Sequence, residues 1–154
     1  MTQRINVFAV APDAMKGMLA VEASFQKSGI EHRLLELVRL RASQINGCAY
    51  CIHMHVVDAV KHGETDMRIH LLDGWRDSPV FSDRERAALG WTETLTHVSR
   101  AGAPDADYAA LQSQFNDVEI ANLTVLIGAI NLWNRVQIGL RAQMPENVLA
   151  TIAA

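Results

Sequence analysis

The chain holds two cysteines, Cys48 and Cys51, three residues apart, and His55 follows four residues later. A thiol does nucleophilic and redox chemistry as its thiolate, so the neighbours that matter are those that take its proton or stabilise the anion. Asn46-Gly47 interrupts a periodic apolar segment just before Cys48, which puts the pair at the start of a new helix. At about 100° per residue, positions 48, 51 and 55 share one helical face and His53 points the other way. Two activating effects compete. The free N–H groups and dipole of the helix N-terminus favour a thiolate at Cys48, whereas the imidazole of His55, one turn beyond Cys51, can take the Cys51 proton. Spacing leaves both open. A bland alternative makes the cysteines two small buried apolar residues. A zinc site using Cys48, Cys51, His55 and a carboxylate lacks the second C-x-x-C or H-x-x-x-H that usually completes one. Dithiol redox chemistry is the preferred reading.

The elements that must position these residues read as all α. Apolar positions recur with a helical period almost throughout, and only Arg4 to Val10 alternates enough to suggest a short strand. Helices are expected from Pro12 to about Phe25, from Glu31 to Ile45, from Cys48 to about Lys61, and from Glu64 to Leu72. An irregular stretch over Trp75 to Phe81 precedes a helix capped by Ser82, with Glu85 completing a capping box. Ala101 to Pro104 stops that helix. Helices from Asp105 to Phe115 and from Asp117, as cap, to Arg141 complete the chain. The last is apolar on more than one side, as in a core or a subunit interface.

With 154 residues, 49% hydrophobic and 20% charged, the chain is expected to form one domain, 1–154, and is neither disordered nor fibrous. A net charge of −3 supplies no broad positive field, which argues against nucleic acid or an anionic membrane as partner. The first residues lack the apolar core of a signal peptide and no run reaches the ~18 apolar residues of a membrane span, so a cytoplasmic location is expected.

The run Glu36-Leu-Val-Arg-Leu-Arg-Ala-Ser-Gln-Ile-Asn-Gly-Cys48-Ala-Tyr-Cys51-Ile-His-Met-His55 resembles the carboxymuconolactone decarboxylase superfamily, and within it the AhpD-like alkylhydroperoxidase branch. The spacing Glu-x11-Cys-x2-Cys-x3-His matches at four chemically distinct positions, and the segments 82–91 and 120–135 extend the likeness to roughly residues 12–141. The resemblance implies an AhpD-like helical bundle that assembles as a homo-oligomer, a trimer or a hexamer. It implies a thiol-dependent hydroperoxide reductase in which Cys51 attacks the peroxide, Cys48 resolves the product as a disulfide, and Glu36 and His55 relay protons. It implies no haem, flavin or metal, and a dithiol reductant such as a lipoylated protein. Tyr50 stands where AhpD proper has a histidine. The lack of a cysteine pair in the decarboxylase branch argues against lactone decarboxylation. The alternatives are a general thiol–disulfide oxidoreductase and a redox-sensing helical oligomer without enzymatic activity.

Among the other residues, Glu36 is expected to be partly buried against the cysteine helix, with its pKa raised by desolvation. Tyr50 is expected to pack, and Ser43 and Gln44 to fix the junction before Cys48. Asn131, Trp133, Asn134 and Arg135 are read as interhelical or subunit contacts, and Arg39 and Arg41 as surface or interface ion pairs. His32, His62, His70 and His97 have no spacing partner.

Overall fold

From Leu34 to Leu40 the sequence offers no polar face for two turns, and all seven residues, Glu36 and Arg39 included, are buried. A helix segment buried on all sides belongs in a core, and three other helices pack against this one. The computed structural model describes residues 2–146 and 148; the expected domain of 1–154 extends past them at residues 1, 147 and 149–154. Among the described residues every regular element is helical: α1 (Val7–Val10), α2 (Pro12–Ser24), α3 (His32–Asn46), α4 (Ala49–Lys61), α5 (Asp66–Leu71), α6 (Asp83–Thr96), α7 (Val98–Ala101), α8 (Asp105–Gln112) and α9 (Asp117–Leu140). A single 3-10 turn, Phe25–Lys27, closes α2. None of these helices is long and apolar enough to cross a membrane.

The central α3 contacts α4, α6 and α9 and divides the core in two. Leu34, Leu35 and Val38 face a cluster with Trp91, Leu123 and Leu126, whereas Leu37 and Leu40 face one with Ala59, Leu72 and Leu89. The expected capping box at Ser82 and Glu85 is present, and the segment between α5 and α6 is irregular as anticipated. Three local expectations are corrected. Residues 7–10 form the one-turn α1 rather than a strand, because Asn6 caps Phe8 N–H and the turn runs directly into Pro12 at the first position of α2. Asn116, not Asp117, caps α9, since its side chain accepts from Val118 and Glu119 N–H while Glu119 reaches back. Thr65 caps α5, which starts at Asp66 instead of Glu64.

The step from α3 to α4 takes two residues. Gly47 ends α3 in the left-handed region at φ 70°, and the Cys48 N–H returns to the Ser43 carbonyl at 3.0 Å. Cys48 is then immediately the N-cap of α4. Helix α9 braces this corner. Asn134, fully buried, donates to Ser43 Oγ at 3.0 Å and accepts from Asn46 Nδ2 at 2.8 Å, and Asn46 also donates to Asn131 at 3.0 Å. These are the interhelical bonds expected of Asn131 and Asn134. Replacing Asn134 with Ala leaves Asn46 without one of its acceptors and a gap beside Ser43. Asn134→Ala should therefore lower the unfolding free energy by about 1–3 kcal/mol, measured by urea titration. An unchanged midpoint would show that the corner does not depend on this brace.

Candidate active site

Helix α4 begins with its dithiol. Cys48 at the N-cap accepts the Cys51 N–H at 3.3 Å, and Cys48 and Cys51 are joined as a disulfide with their Cα atoms 5.4 Å apart. Both residues are only 1% exposed, so reagents reach them through cavities rather than across an open surface. His55, one turn beyond Cys51, is also buried. Its Nδ1 lies 2.8 Å from Glu36 Oε2 on α3, so in the neutral ring Nδ1 carries the proton and donates it, and the lone pair sits on Nε2. That Nε2 is buried and makes no hydrogen bond. The four residues of the Glu-x11-Cys-x2-Cys-x3-His pattern therefore meet where the central helix passes the start of α4.

The carboxylate of Glu36 is held from its other side as well. Arg39 Nη1 donates to Glu36 Oε1 at 2.5 Å, and Arg39 Nη2 to Glu22 Oε2 of α2 at 2.8 Å. Glu22 Oε1 in turn accepts from Trp133 Nε1 of α9 at 2.9 Å. Arg39 lies over the Phe25 ring, 5.7 Å from its centroid. A chain of charged hydrogen bonds thus runs Trp133, Glu22, Arg39, Glu36, His55 through four helices. Burial pushes the Glu36 pKa up, as expected from sequence, but the His55 hydrogen bond and the Arg39 charge outweigh it and hold the pKa below the ordinary 4.5. The expected direction is therefore reversed. The cause is the two buried partners, the His55 hydrogen bond first and the Arg39 charge second, and Arg39 pairs inside the chain with Glu36 and Glu22 rather than at a surface or an interface. Arg41 also forms ion pairs, to Asp73 and Glu93, with its side chain 12% exposed.

Cys51, Glu36 and His55 open into a groove of about 530 Å³ whose outer wall is apolar, built from Phe8, Leu19, Met54 and Trp133. Phe8 and Trp133 stack with centroids 6.3 Å apart. His32 and His62, unpaired by spacing, stack on each other at 5.2 Å and line the same groove, as does Tyr50. Sequence reasoning missed Glu22, Trp133, His32 and His62 as groove residues, because each comes from a different element and no local spacing links them. Arg39 did leave a signal: a base three residues after an acid, with leucines on all sides. Among the described residues no three of His, Cys, Asp and Glu converge so as to hold a metal ion.

The sequence model of the Carboxymuconolactone decarboxylase family matches residues 12–94, more than half of the chain. The uncharacterized protein YdfG of Bacillus subtilis (strain 168) is 37% identical over 140 residues, covering 91% of this chain and 95% of its own. The crystal structure of an Agrobacterium tumefaciens protein of unknown function, provisionally described as an antioxidant defence protein AhpD, superposes with a TM-score of 0.90 at 46% identity. The match covers 94% of this chain and 99% of that one. An uncharacterized peroxidase-related protein from Ralstonia eutropha JMP134, described as an alkylhydroperoxidase AhpD core, has a TM-score of 0.80 at 18% identity, a likeness of fold covering 92% and 75% of the two chains.

The lowered pKa of Glu36 fixes a pH dependence. A carboxylate whose folded pKa is depressed contributes stability that is fully present above its unfolded value and is lost as pH falls through the folded value. The difference in unfolding free energy between wild type and Glu36→Gln should therefore stay level down to about pH 4.5 and shrink at lower pH. Parallel urea titrations across the acid range measure it. A difference that grows on acidification would mean that Glu36 is protonated in the folded protein.

Proposed function

The chain belongs to the carboxymuconolactone decarboxylase family, and from that premise and the geometry of its dithiol we propose that it reduces organic hydroperoxides, with Cys51 as the attacking thiolate and Cys48 as the resolving one. The observation that carries the reading is the buried, unpartnered Nε2 of His55, whose ring shares a groove with Cys51 while Glu36 holds its other nitrogen. An unpaired buried nitrogen costs free energy, and an acceptor in the same groove as a thiol is what general-base activation needs. The helix-terminus argument for Cys48 remains, but it lacks such a base.

In the reduced enzyme His55 Nε2 takes the Cys51 proton. The thiolate attacks the distal peroxide oxygen; the S–O bond forms, the O–O bond breaks, and the departing alkoxide takes the proton back from His55 as an alcohol. Cys48 thiolate then attacks the Cys51 sulfenic acid, and the disulfide forms with loss of hydroxide, protonated to water. One hydroperoxide and the dithiol thus yield one alcohol, one water and the disulfide. Glu36 stays ionised between Arg39 and His55, and orients the ring so that Nε2 meets the groove. It stabilises the imidazolium formed in each proton transfer. The apolar wall of Phe8, Leu19, Met54 and Trp133 suits the carbon skeleton of an organic peroxide. A dithiol reductant, of which a lipoylated protein is one form, would reopen the disulfide. Exposed Val118, Val125 and Leu132, seven residues apart along α9, support assembly as a homo-oligomer.

Turnover of cumene hydroperoxide with excess dithiothreitol tests the reading. Cys51→Ser should abolish it, Cys48→Ser should lose multiple turnover while still consuming peroxide stoichiometrically, and His55→Ala should lower kcat/KM by about a hundredfold. Wild-type rates in both cysteine variants would overturn the assignment. Disulfide exchange with no peroxide consumption would instead favour a general thiol–disulfide oxidoreductase.

A further inference from the structure

The two sulfurs of the disulfide open into different spaces. The groove that holds Glu36 and His55 is lined by Cys51 and not by Cys48; a second cavity, of about 600 Å³, is lined by Cys48 and not by Cys51. The second cavity lies between the α3–α4 junction, Gly47 to Tyr50, and the C-terminal turn of α9 with the residues that follow it, up to Met144. Tyr50 and Gln137 line both spaces and form the wall between them. The charges on the two sides are opposite in kind. Among the described residues, the Cys51 groove carries Glu22, Glu36 and Asp58 against Arg39, whereas the Cys48 cavity carries Arg4 and Arg141 and no carboxylate. Arg4 is fixed there, its Nη1 donating to the Gly139 carbonyl at 2.9 Å and its backbone N–H to that of Leu140 at 3.0 Å. Arg141 ends α9 at φ 55° and is exposed. In a chain with a net charge of −3, a cavity lined among the described residues by two arginines and no acid is a local exception.

Thiol–disulfide exchange has a direction. The incoming thiolate approaches the attacked sulfur along the S–S axis from the side away from the leaving sulfur, and the better leaving thiolate departs faster. A nucleophile in the cavity lined by Cys48 alone meets Cys48 and expels Cys51. That thiolate emerges into the groove that His55 also lines, where the imidazole can pass to it a proton released by the donor's own thiols. Attack from the groove would expel Cys48, which has no such acid.

We propose that the Cys48 cavity is the reductant site, and that it takes a slender dithiol carrying negative charge near its thiols. This deepens the hydroperoxide-reductase reading and rests on it for the origin of the disulfide. The donor's first thiolate attacks Cys48, the S–S bond breaks, and Cys51 leaves as a thiolate. The donor's second thiol, deprotonated, then attacks its own sulfur in the mixed disulfide and releases Cys48. The protein disulfide gains two electrons and the donor, losing them, leaves as a cyclic disulfide. Peroxide and reductant thus use opposite sides of one dithiol, with Tyr50 and Gln137 between them.

The test uses the oxidised protein without peroxide, so its failure and that of the hydroperoxide reading are separable. Opening of the disulfide by 2-mercaptoethanesulfonate, 2-mercaptoethanol and cysteamine is followed at matched thiolate concentration, with iodoacetamide quenching and peptide mass mapping. The mixed disulfide should lie on Cys48 and the alkyl group on Cys51. The sulfonate should react at least about fivefold faster than cysteamine, as expected for a cationic site. The double variant Arg4→Gln/Arg141→Asn, in which Asn suits the left-handed position of Arg141, should bring the two rates within about twofold of each other. Adducts on Cys51 in the wild type, or a charge preference that is absent or survives the double variant, would overturn the proposal.

Discussion

The structure turns on one buried carboxylate. Glu36 sits in the middle of the central helix, where every residue from Leu34 to Leu40 is removed from water, and an isolated charge there would cost several kcal/mol. It persists because its two oxygens have charged or polar partners, Arg39 on its own helix and His55 on the next. Arg39 needs a second anion to be fully paired, and Glu22 supplies it; Glu22 needs a donor, and Trp133 supplies it. His55, Glu22 and Trp133 each bring in a further helix, so α2, α3, α4 and α9 are bound to one another by the means that keep Glu36 ionised. Two carboxylates against one guanidinium leave a single negative charge beside His55. In the proposed reaction, that is where the proton lost by Cys51 goes.

The second constraint is the two-residue corner between α3 and α4. A left-handed glycine followed at once by a helix cap sets Cys48 and Cys51 a turn apart and close enough to bond, with His55 a turn further along. The same corner, braced by Asn134 from α9, holds the dithiol between two cavities of opposite charge character. The charge chain and the corner act on the same pair of sulfurs from different directions. In the proposed reaction one prepares Cys51 and the other presents Cys48.

Much of this was legible along the chain because it is local. The Cys-x-x-Cys pair, the break at Asn46-Gly47, the histidine one turn on and the glutamate twelve residues before Cys48 are short-range features, and helical periodicity fixes which of them share a face. The capping box at Ser82 was legible for the same reason. What sequence did not supply depends on contacts between distant segments. The short α1 looked like a strand because four residues are too few for a period to declare itself, and its helical turn follows from the Asn6 cap. Along the chain, burial of Glu36 implies a raised pKa, whereas the His55 hydrogen bond and the charge of Arg39, which from sequence reads as a surface or interface ion-pair residue, lower it only through tertiary packing. Glu22, Trp133 and the stacked His32 and His62 come from four separate elements, and only tertiary packing brings them to one groove.

In the proposed reaction the buried charge chain makes Cys51 the sulfur that reacts. The most direct measurement is the intact and peptide mass of fully reduced Cys48→Ser protein after one equivalent of hydroperoxide and dimedone trapping, beside the reduced wild type given the same peroxide. The account predicts a sulfenic-acid adduct on Cys51 in the variant, and in the wild type the loss of two hydrogens as the Cys48–Cys51 disulfide forms. A Cys48→Ser protein that stays unmodified while Cys51→Ser acquires the adduct on Cys48 would contradict it.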